Sequence, residues 1–68
     1  MPVTKIIEVV GASPTSSDDA VREALAAASR SLRGITRVEV IAVEAVVHEG
    51  QVAEWHARIK IAFPVEPK

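Results

Sequence analysis

The sequence has no cysteine and no tyrosine, and only one Trp and one Phe. Without cysteine, disulfide bonds and thiolate metal sites are excluded. It also lacks an excess of charge of either sign, because its 8 basic and 9 acidic residues are interspersed along the chain and give a net charge of −1. This balance argues against a nucleic-acid-binding protein, which would carry a clustered basic face.

Long apolar runs are also missing. None approaches the roughly 20 residues needed to cross a bilayer, and the N-terminal segment lacks the pattern of a secretion signal. We therefore expect a cytoplasmic protein with no membrane partner.

The small size of the chain limits its core. Its 68 residues form at most one domain, spanning residues 1–68. A domain this short buries only about 60% of the surface that its unfolded chain exposes. Such a domain commonly needs disulfide bonds, a metal ion or a partner subunit to be stable. Hydrophobic residues nevertheless make up 49% of the chain. We therefore expect other copies of the chain to cover part of this apolar surface.

The first half of the sequence predicts a strand followed by a helix. Residues 5–10 are short and β-branched, which is typical of a strand, and residues 11–17 interrupt it. Ser16 or Ser17 can cap the helix, with Asp18 and Asp19 in its first turn, where carboxylates suit the positive end of the dipole. One amphipathic stripe follows at spacings of four and three: Val21, Leu25, Ala28 and Leu32. The helix is expected to end near Gly34 at C′, with Arg30 and Arg33 in its last turn.

The second half alternates with a period of two, which predicts two strands. In the first, one face is predicted to carry Val38, Val40 and Ala42, and the other Arg37, Glu39, Ile41 and Val43. Residues 48–51 predict a turn, with Gly50 at positive φ. In the last strand, one face is predicted to carry Trp55, Ala57, Ile59, Ile61 and Phe63, and the other His56, Arg58, Lys60 and Ala62.

These patterns predict an α+β fold of order β-α-β-β, in which one amphipathic helix packs on a three-stranded antiparallel sheet. Trp55 is expected in the core, packed on the helix. A turn at residues 49–50 pairs Val40 with Ile59 and Glu39 with Lys60, the latter a favourable cross-strand charge pair. The second face of the sheet has no helix to cover it, so we expect other subunits or a ligand there.

The sequence resembles the dodecins over nearly its whole length. The likeness lies in Ile6–Pro14 with its strand–Gly-x-Ser-Pro–helix junction, in the helix exit Leu32–Ile35, and in Lys60–Phe63 at the end of the last hairpin. Dodecins are small β-α-β-β proteins that form hollow homododecamers, and most store flavins such as riboflavin or FMN at subunit interfaces. The resemblance implies that neighbouring copies cover the second sheet face and that the protein is non-enzymatic.

This chain departs from the flavin site of that family. Arg37 stands where a Trp stacks on the flavin, and His56 where a Gln binds its polar edge. Glu44 and Pro64 stand where bacterial members often carry Arg. The resemblance thus implies a degenerate flavin site for a small planar or anionic ligand. Its candidate ligand-binding residues are Arg37, Glu39, Glu44 and His56.

Several alternatives remain open for this site. The polar residues could instead form an inter-subunit salt-bridge network in a purely structural shell, or the site could still bind flavin in the ordinary way. A minor branch of the family without the Trp includes members described as calcium-binding, so calcium is a further alternative.

Other constellations favour neither a metal site nor catalysis. The acidic residues of the predicted helix start, Asp18, Asp19 and Glu23, suit the helix dipole better than a calcium site. His48 and His56 lack a third ligand for zinc. No serine has a partnering His–Asp arrangement, which argues against an enzyme.

Overall fold

A computed structural model describes residues 3–65 as three strands and one helix in the order β-α-β-β. The elements are β1 (Val3–Ser13), α1 (Ser17–Ser29), β2 (Arg37–His48) and β3 (Gln51–Val65). The strands form one antiparallel sheet in the order β1-β3-β2, which places the longest strand at the centre. The predicted fold class and element order are confirmed, although β1 continues to Ser13 rather than stopping at Val10.

Serine side chains fix the start of the helix. Ser16 is the N-cap, and its Oγ accepts a hydrogen bond of 3.0 Å from the Asp19 backbone N–H. The buried Ser13 donates from its Oγ to Asp19 Oδ2 at 2.7 Å and accepts from the Thr15 backbone N–H at 3.0 Å. The predicted cap is confirmed, and Ser13 ties the end of β1 to the first turn of α1.

The helix ends earlier than predicted. Its last residue is Ser29, Arg30 is the C-cap, and no basic residue lies in its last turn. Gly34 has φ +72° but lies four residues beyond the C-cap, so it is not the C′ glycine. The chain uses this turn to reach the sheet, where the Thr36 backbone N–H donates to the Ala62 carbonyl at 2.9 Å.

The core lies between α1 and the sheet. Its buried members are Ala20, Ala24, Ala57, Ile59 and Ile61, with partly buried apolar residues around them. The predicted helix stripe is confirmed in part: Val21, Ala28 and Leu32 pack against this cluster but are only partly buried, and two alanines form the central contact. Gly11 of β1 explains this choice, because a Cβ there would lie 2.1 Å from the Ala20 carbonyl oxygen. The backbones approach so closely that only small side chains fit.

The register of β2 on β3 agrees with the prediction up to a β-bulge. Val40 pairs with Ile59 and Glu39 with Lys60, as expected. One extra residue, Ile41, then shifts the pairing, so that Ala42 lies opposite Arg58 and Val43 opposite Ala57. The faces predicted for Ala42 and Val43 are therefore wrong. A bulge places two residues opposite one on the partner strand and exchanges the faces of the residues that follow on its own strand. A second register shift between Val46 and Val47 restores the predicted pairing next to the turn.

The tip of the β2–β3 hairpin is a two-residue turn. His48 pairs with Gln51, and the residues between them have positive φ, +51° at Glu49 and +77° at Gly50. Both angles belong to a type I′ turn, which matches the twist of the flanking strands. The predicted turn and its positive-φ glycine are confirmed.

Trp55 lies on the predicted face but is less buried than expected. It pairs with Ser13 on β1 and Ala45 on β2, on the same side of the sheet as Ala57. The side chain is only partly buried and lies outside the core cluster of the described residues. The physical reason is position, since Trp55 lies level with Ser13, where β1 ends and the chain turns toward the helix.

Candidate functional site on the open sheet face

The sheet face opposite the helix, here called the open face, combines charged and apolar side chains. The strand registers place on it Ile6, Glu8, Val10 and Ala12 of β1; Arg37, Glu39, Ala42, Glu44 and Val46 of β2; and Glu54, His56, Arg58, Lys60 and Ala62 of β3. Ile6 is 54% exposed and Val10 56% exposed. A face that mixes exposed aliphatic residues with both signs of charge is suited to contact with another surface.

Charges in the middle of the open face are paired across strands. The Arg58 Nε lies 3.6 Å from Glu8 Oε2, and both side chains are about half exposed. Lys60 lies opposite Glu8 on one side and Glu39 on the other. Exposed pairs of this kind contribute only about 0–1 kcal/mol in water. These pairs bring opposite charges together on the open face, but their side chains stay exposed.

The four candidate ligand-binding residues lie on the open face but form two separate pairs. Arg37 lies opposite Ala62 at one end of the sheet, with Glu39 two residues along, whereas Glu44 lies opposite His56. The β3 partners Ala62 and His56 are six residues apart, which corresponds to roughly 20 Å along a strand. Arg37 and His56 therefore do not wall one pocket within a single protomer, and a ligand site that uses both residues needs a second copy of the chain.

The bulge at Ile41 brings Glu44 to His56. Strict alternation from Val38 and Val40 would place Glu44 on the helix side, because all three numbers are even. The extra residue shifts the register by one, so Glu44 pairs with His56 on the open face. Ile41 is a common strand residue, and nothing in the sequence marks it as the site of a bulge.

Glu54 contacts the candidate site residue His56, and the sequence reasoning missed this contact. Its Oε2 lies 2.5 Å from His56 Nε2, and the two side chains are 44% and 32% exposed. The signal was available, because residues two apart on one strand project from the same face. Glu54 and Glu44 together place two carboxylates next to His56 at this end of the open face.

An open, mostly apolar cleft of about 590 Å³ lies between the helix end and the start of β2. Leu25, Leu32 and Ile35 line it, and Arg37 stands at its edge. The cleft thus places one cation beside aliphatic side chains. It is separate from the His56 end of the open face.

Within residues 3–65, no three His, Asp or Glu side chains come close enough to hold a metal ion. The helix of this described part is too short and too polar to cross a membrane.

The sequence pattern of the dodecin family matches residues 3–66. Among solved structures, the chain is similar to the dodecin from Streptomyces coelicolor, with 39% identity and a TM-score of 0.94 over 98% of this chain and 96% of that one. It is also similar to the dodecin from Streptomyces davaonensis (29% identity, TM-score 0.91, 97% of each chain). The tt0972 protein from Thermus thermophilus shows 29% identity and a TM-score of 0.94 over the full length of both chains. No curated protein matches the chain.

Proposed function

Because the chain belongs to the dodecin family, we propose that it is a non-enzymatic, homododecameric protein that binds and stores a small ligand through a degenerate flavin site. The observation that carries this proposal is the open face. It holds all four candidate ligand-binding residues, yet separates Arg37 from His56 by roughly 20 Å within one protomer. A second protomer is needed to bring these two ends together at one ligand. The cytoplasmic location stays a prediction.

Assembly through the open face is tested by size-exclusion chromatography with light scattering. We expect a mass about twelve times the 7.3 kDa of one chain. Val10→Lys should reduce this mass, because the side chain is 56% exposed in the protomer and would place a cation beside Arg58 in a closed interface. Ala26→Lys adds the same charge on the exposed side of α1 and serves as control. A monomeric or dimeric parent at micromolar concentration contradicts the proposal.

Arg37 is the residue that weakens flavin binding in this proposal. A Trp at its position would provide aromatic overlap with the ring, worth about 0.5–1.5 kcal/mol per pair beyond the buried area. A guanidinium also stacks on a flat ring, but its charge must then be desolvated or paired. Glu39, two residues along the same face of β2, is the nearest candidate partner on that strand. We therefore expect riboflavin to bind weakly and a phosphorylated flavin more weakly still, because Glu44 adds negative charge.

Riboflavin fluorescence quenching tests the role of Arg37. Arg37→Trp should tighten binding by about 2–10-fold, the equivalent of one stacking pair, and His56→Gln in addition should tighten it further. Arg33→Trp is the matched control, since Arg33 is also exposed but lies in the turn between α1 and β2. A parent that already binds as tightly as Arg37→Trp would exclude Arg37 from the pocket.

Two measurements separate the rival functions. The absorbance spectrum of freshly purified protein, with mass spectrometry of released ligands, distinguishes an ordinary flavin-loaded dodecin from a colourless shell. Calorimetric titration with calcium tests the metal alternative. A dodecamer that binds neither riboflavin nor calcium and releases no ligand would be a purely structural shell.

A further inference from the structure

We propose that Glu54 is a positioning residue that holds the His56 ring in one tautomer, so that the site selects a planar ligand with an N–H donor at its edge. This inference rests on the proposed function, because it concerns the ligand bound at the open face. It goes further by naming the chemistry that the ligand must present.

The geometry of the pair fixes the ring. Glu54 and His56 project from the same face of β3, and Glu54 Oε2 lies 2.5 Å from His56 Nε2. This is the one hydrogen bond of the His56 ring among residues 3–65. Both side chains are partly buried, so the contact is more than a passing surface pair.

The direction of this hydrogen bond follows from the groups involved. An ionised carboxylate only accepts hydrogen bonds, so the proton must be on Nε2 of the ring. In the neutral imidazole the other nitrogen, Nδ1, is then an acceptor. Because Glu54 occupies Nε2, the group left for a ligand is the Nδ1 lone pair. A glutamine at position 56 would instead offer donors and an acceptor together.

The surroundings of His56 also favour a donor on the ligand. Glu44 lies opposite it on β2, Ala12 opposite it on β1, and Arg58 is two residues along β3. The Arg58 Nε lies 3.6 Å from Glu8 Oε2, so its charge is partly balanced. Glu54 and Glu44 place two carboxylates on the same face as the ring. Acceptors around the site select against negatively charged phosphate groups and in favour of N–H groups. The imide N–H of a flat heterocycle, held between two carbonyls in the same plane, has the required chemistry.

Protonation of the imidazole should abolish this preference. A doubly protonated ring donates from both nitrogens and no longer accepts from the ligand.

Paired titrations with riboflavin and 3-methylriboflavin, which lacks the imide N–H, test the proposal at pH 8. The parent should bind riboflavin about tenfold more tightly than the methylated analogue, the effect of one hydrogen bond. Glu54→Gln should bring the two affinities within about twofold of each other, since an amide accepts from or donates to Nε2 equally well. Glu54→Asp should restore part of the discrimination. Glu23→Gln removes the same charge from an exposed position of α1, away from the site, and should leave the ratio unchanged.

A second measurement tests the tautomer without any ligand. In nitrogen-15 spectra of histidine-labelled protein, His56 should show a protonated Nε2 and an unprotonated Nδ1 in the parent, and a mixture of tautomers in Glu54→Gln. His48 lies at the exposed hairpin tip and serves as internal reference. Unchanged spectra, or unchanged discrimination while riboflavin still binds, would overturn the role of Glu54. A parent with the fixed tautomer that binds neither flavin would instead refute the proposed flavin site.

Discussion

The two faces of β3 differ more than any other two regions of the molecule. On the helix side, Ala57, Ile59 and Ile61 are 0% exposed, whereas Arg58 and Lys60 between them are exposed on the open face. The same strand thus supplies the stability of the protomer from one side and the contacts available to partners from the other. Substitutions on the two faces should therefore have different consequences, the first for folding and the second for assembly and ligand binding.

Strand β2 resembles neither face of β3, because it carries partly exposed apolar side chains on both sides of the sheet. Val40 and Val43 lie on the helix side of the sheet, yet they are 48% and 46% exposed. The 13-residue helix packs mainly over β1 and β3 and leaves β2 uncovered. Val46 on the open face of β2 is also 40% exposed. Apolar side chains on both sides of one edge strand are what a protomer would retain for contact with other copies.

The largest expected effect is that of Ile59→Ala, which leaves a cavity at a fully buried position on the helix side of the sheet, here called the covered face. It should lower the free energy of unfolding by about 2–5 kcal/mol, as core truncations of this size do. Chemical denaturation followed by circular dichroism measures the loss. Lys60→Ala, the next residue on the opposite face, is the control and should change stability by no more than about 0.5 kcal/mol.

Val40→Ala sharpens this comparison because Val40 is the cross-strand partner of Ile59 on the same side of the sheet. Because Val40 is about half exposed in the protomer, Val40→Ala should lower the free energy of unfolding by clearly less than Ile59→Ala does. An equal loss in the assembled protein would mean that a neighbouring copy buries β2 as fully as the helix buries β3.

Gly11→Ala is expected to have the next largest effect. The added Cβ would lie 2.1 Å from the Ala20 carbonyl oxygen and 2.8 Å from Ala24 Cβ, so the helix must move away from β1. Overpacking of this kind costs about 1–3 kcal/mol. Ala12→Ser, at the exposed neighbouring position, is the control in the same denaturation experiment. Equal stability of Gly11→Ala and the parent would show that the covered face tolerates a wider helix–sheet spacing.

Glu49→Asn should have the smallest effect and the opposite sign. Glu49 has φ +51°, a left-handed conformation that costs an ordinary residue about 1–2 kcal/mol and an Asn less. Asn-Gly is also the preferred pair in type I′ turns. The substitution should raise the free energy of unfolding by about 0.5–1 kcal/mol. Glu49→Gln keeps the size without the turn preference, and an equal gain there would rule out backbone strain as the cause.

Much of the covered face could be predicted from the sequence. The Ser16 cap, the alternation from Trp55 to Phe63 and the Val40–Ile59 pairing all follow from side-chain periodicity and turn chemistry, and the structure confirms them. The burial of Trp55 and the length of the helix were overestimated, since periodicity gives the face of a side chain and not the extent of the helix above it.

The faces of β2 and the central helix contact were harder to predict, each for a physical reason. The bulge at Ile41 exchanges the faces of β2 beyond it, but a bulge at a β-branched residue has no distinct sequence pattern. The central helix contact is made by Ala20 and Ala24, whose small side chains give a weaker periodic signal than Leu25 or Leu32. The contact depends on the close approach at Gly11, which belongs to a different element. The distance between Arg37 and His56 could be obtained only from the observed register of β2 on β3.

The pairing of β1 with β3 has a consequence for how the chain folds. Val3 lies opposite Val65 and Ser13 opposite Trp55, so these ladder contacts close loops that include most of the polypeptide, whereas β2 and β3 meet across a two-residue turn. Non-local pairing slows folding because loop-closure entropy is lost before contacts form. The hairpin should therefore form first and β1 should join it late. A circular permutant that connects the two ends through a short linker and opens at residues 49–50 would make the β1–β3 contact local. In this permutant β1 and β3 should pair first, and β2 should join them late.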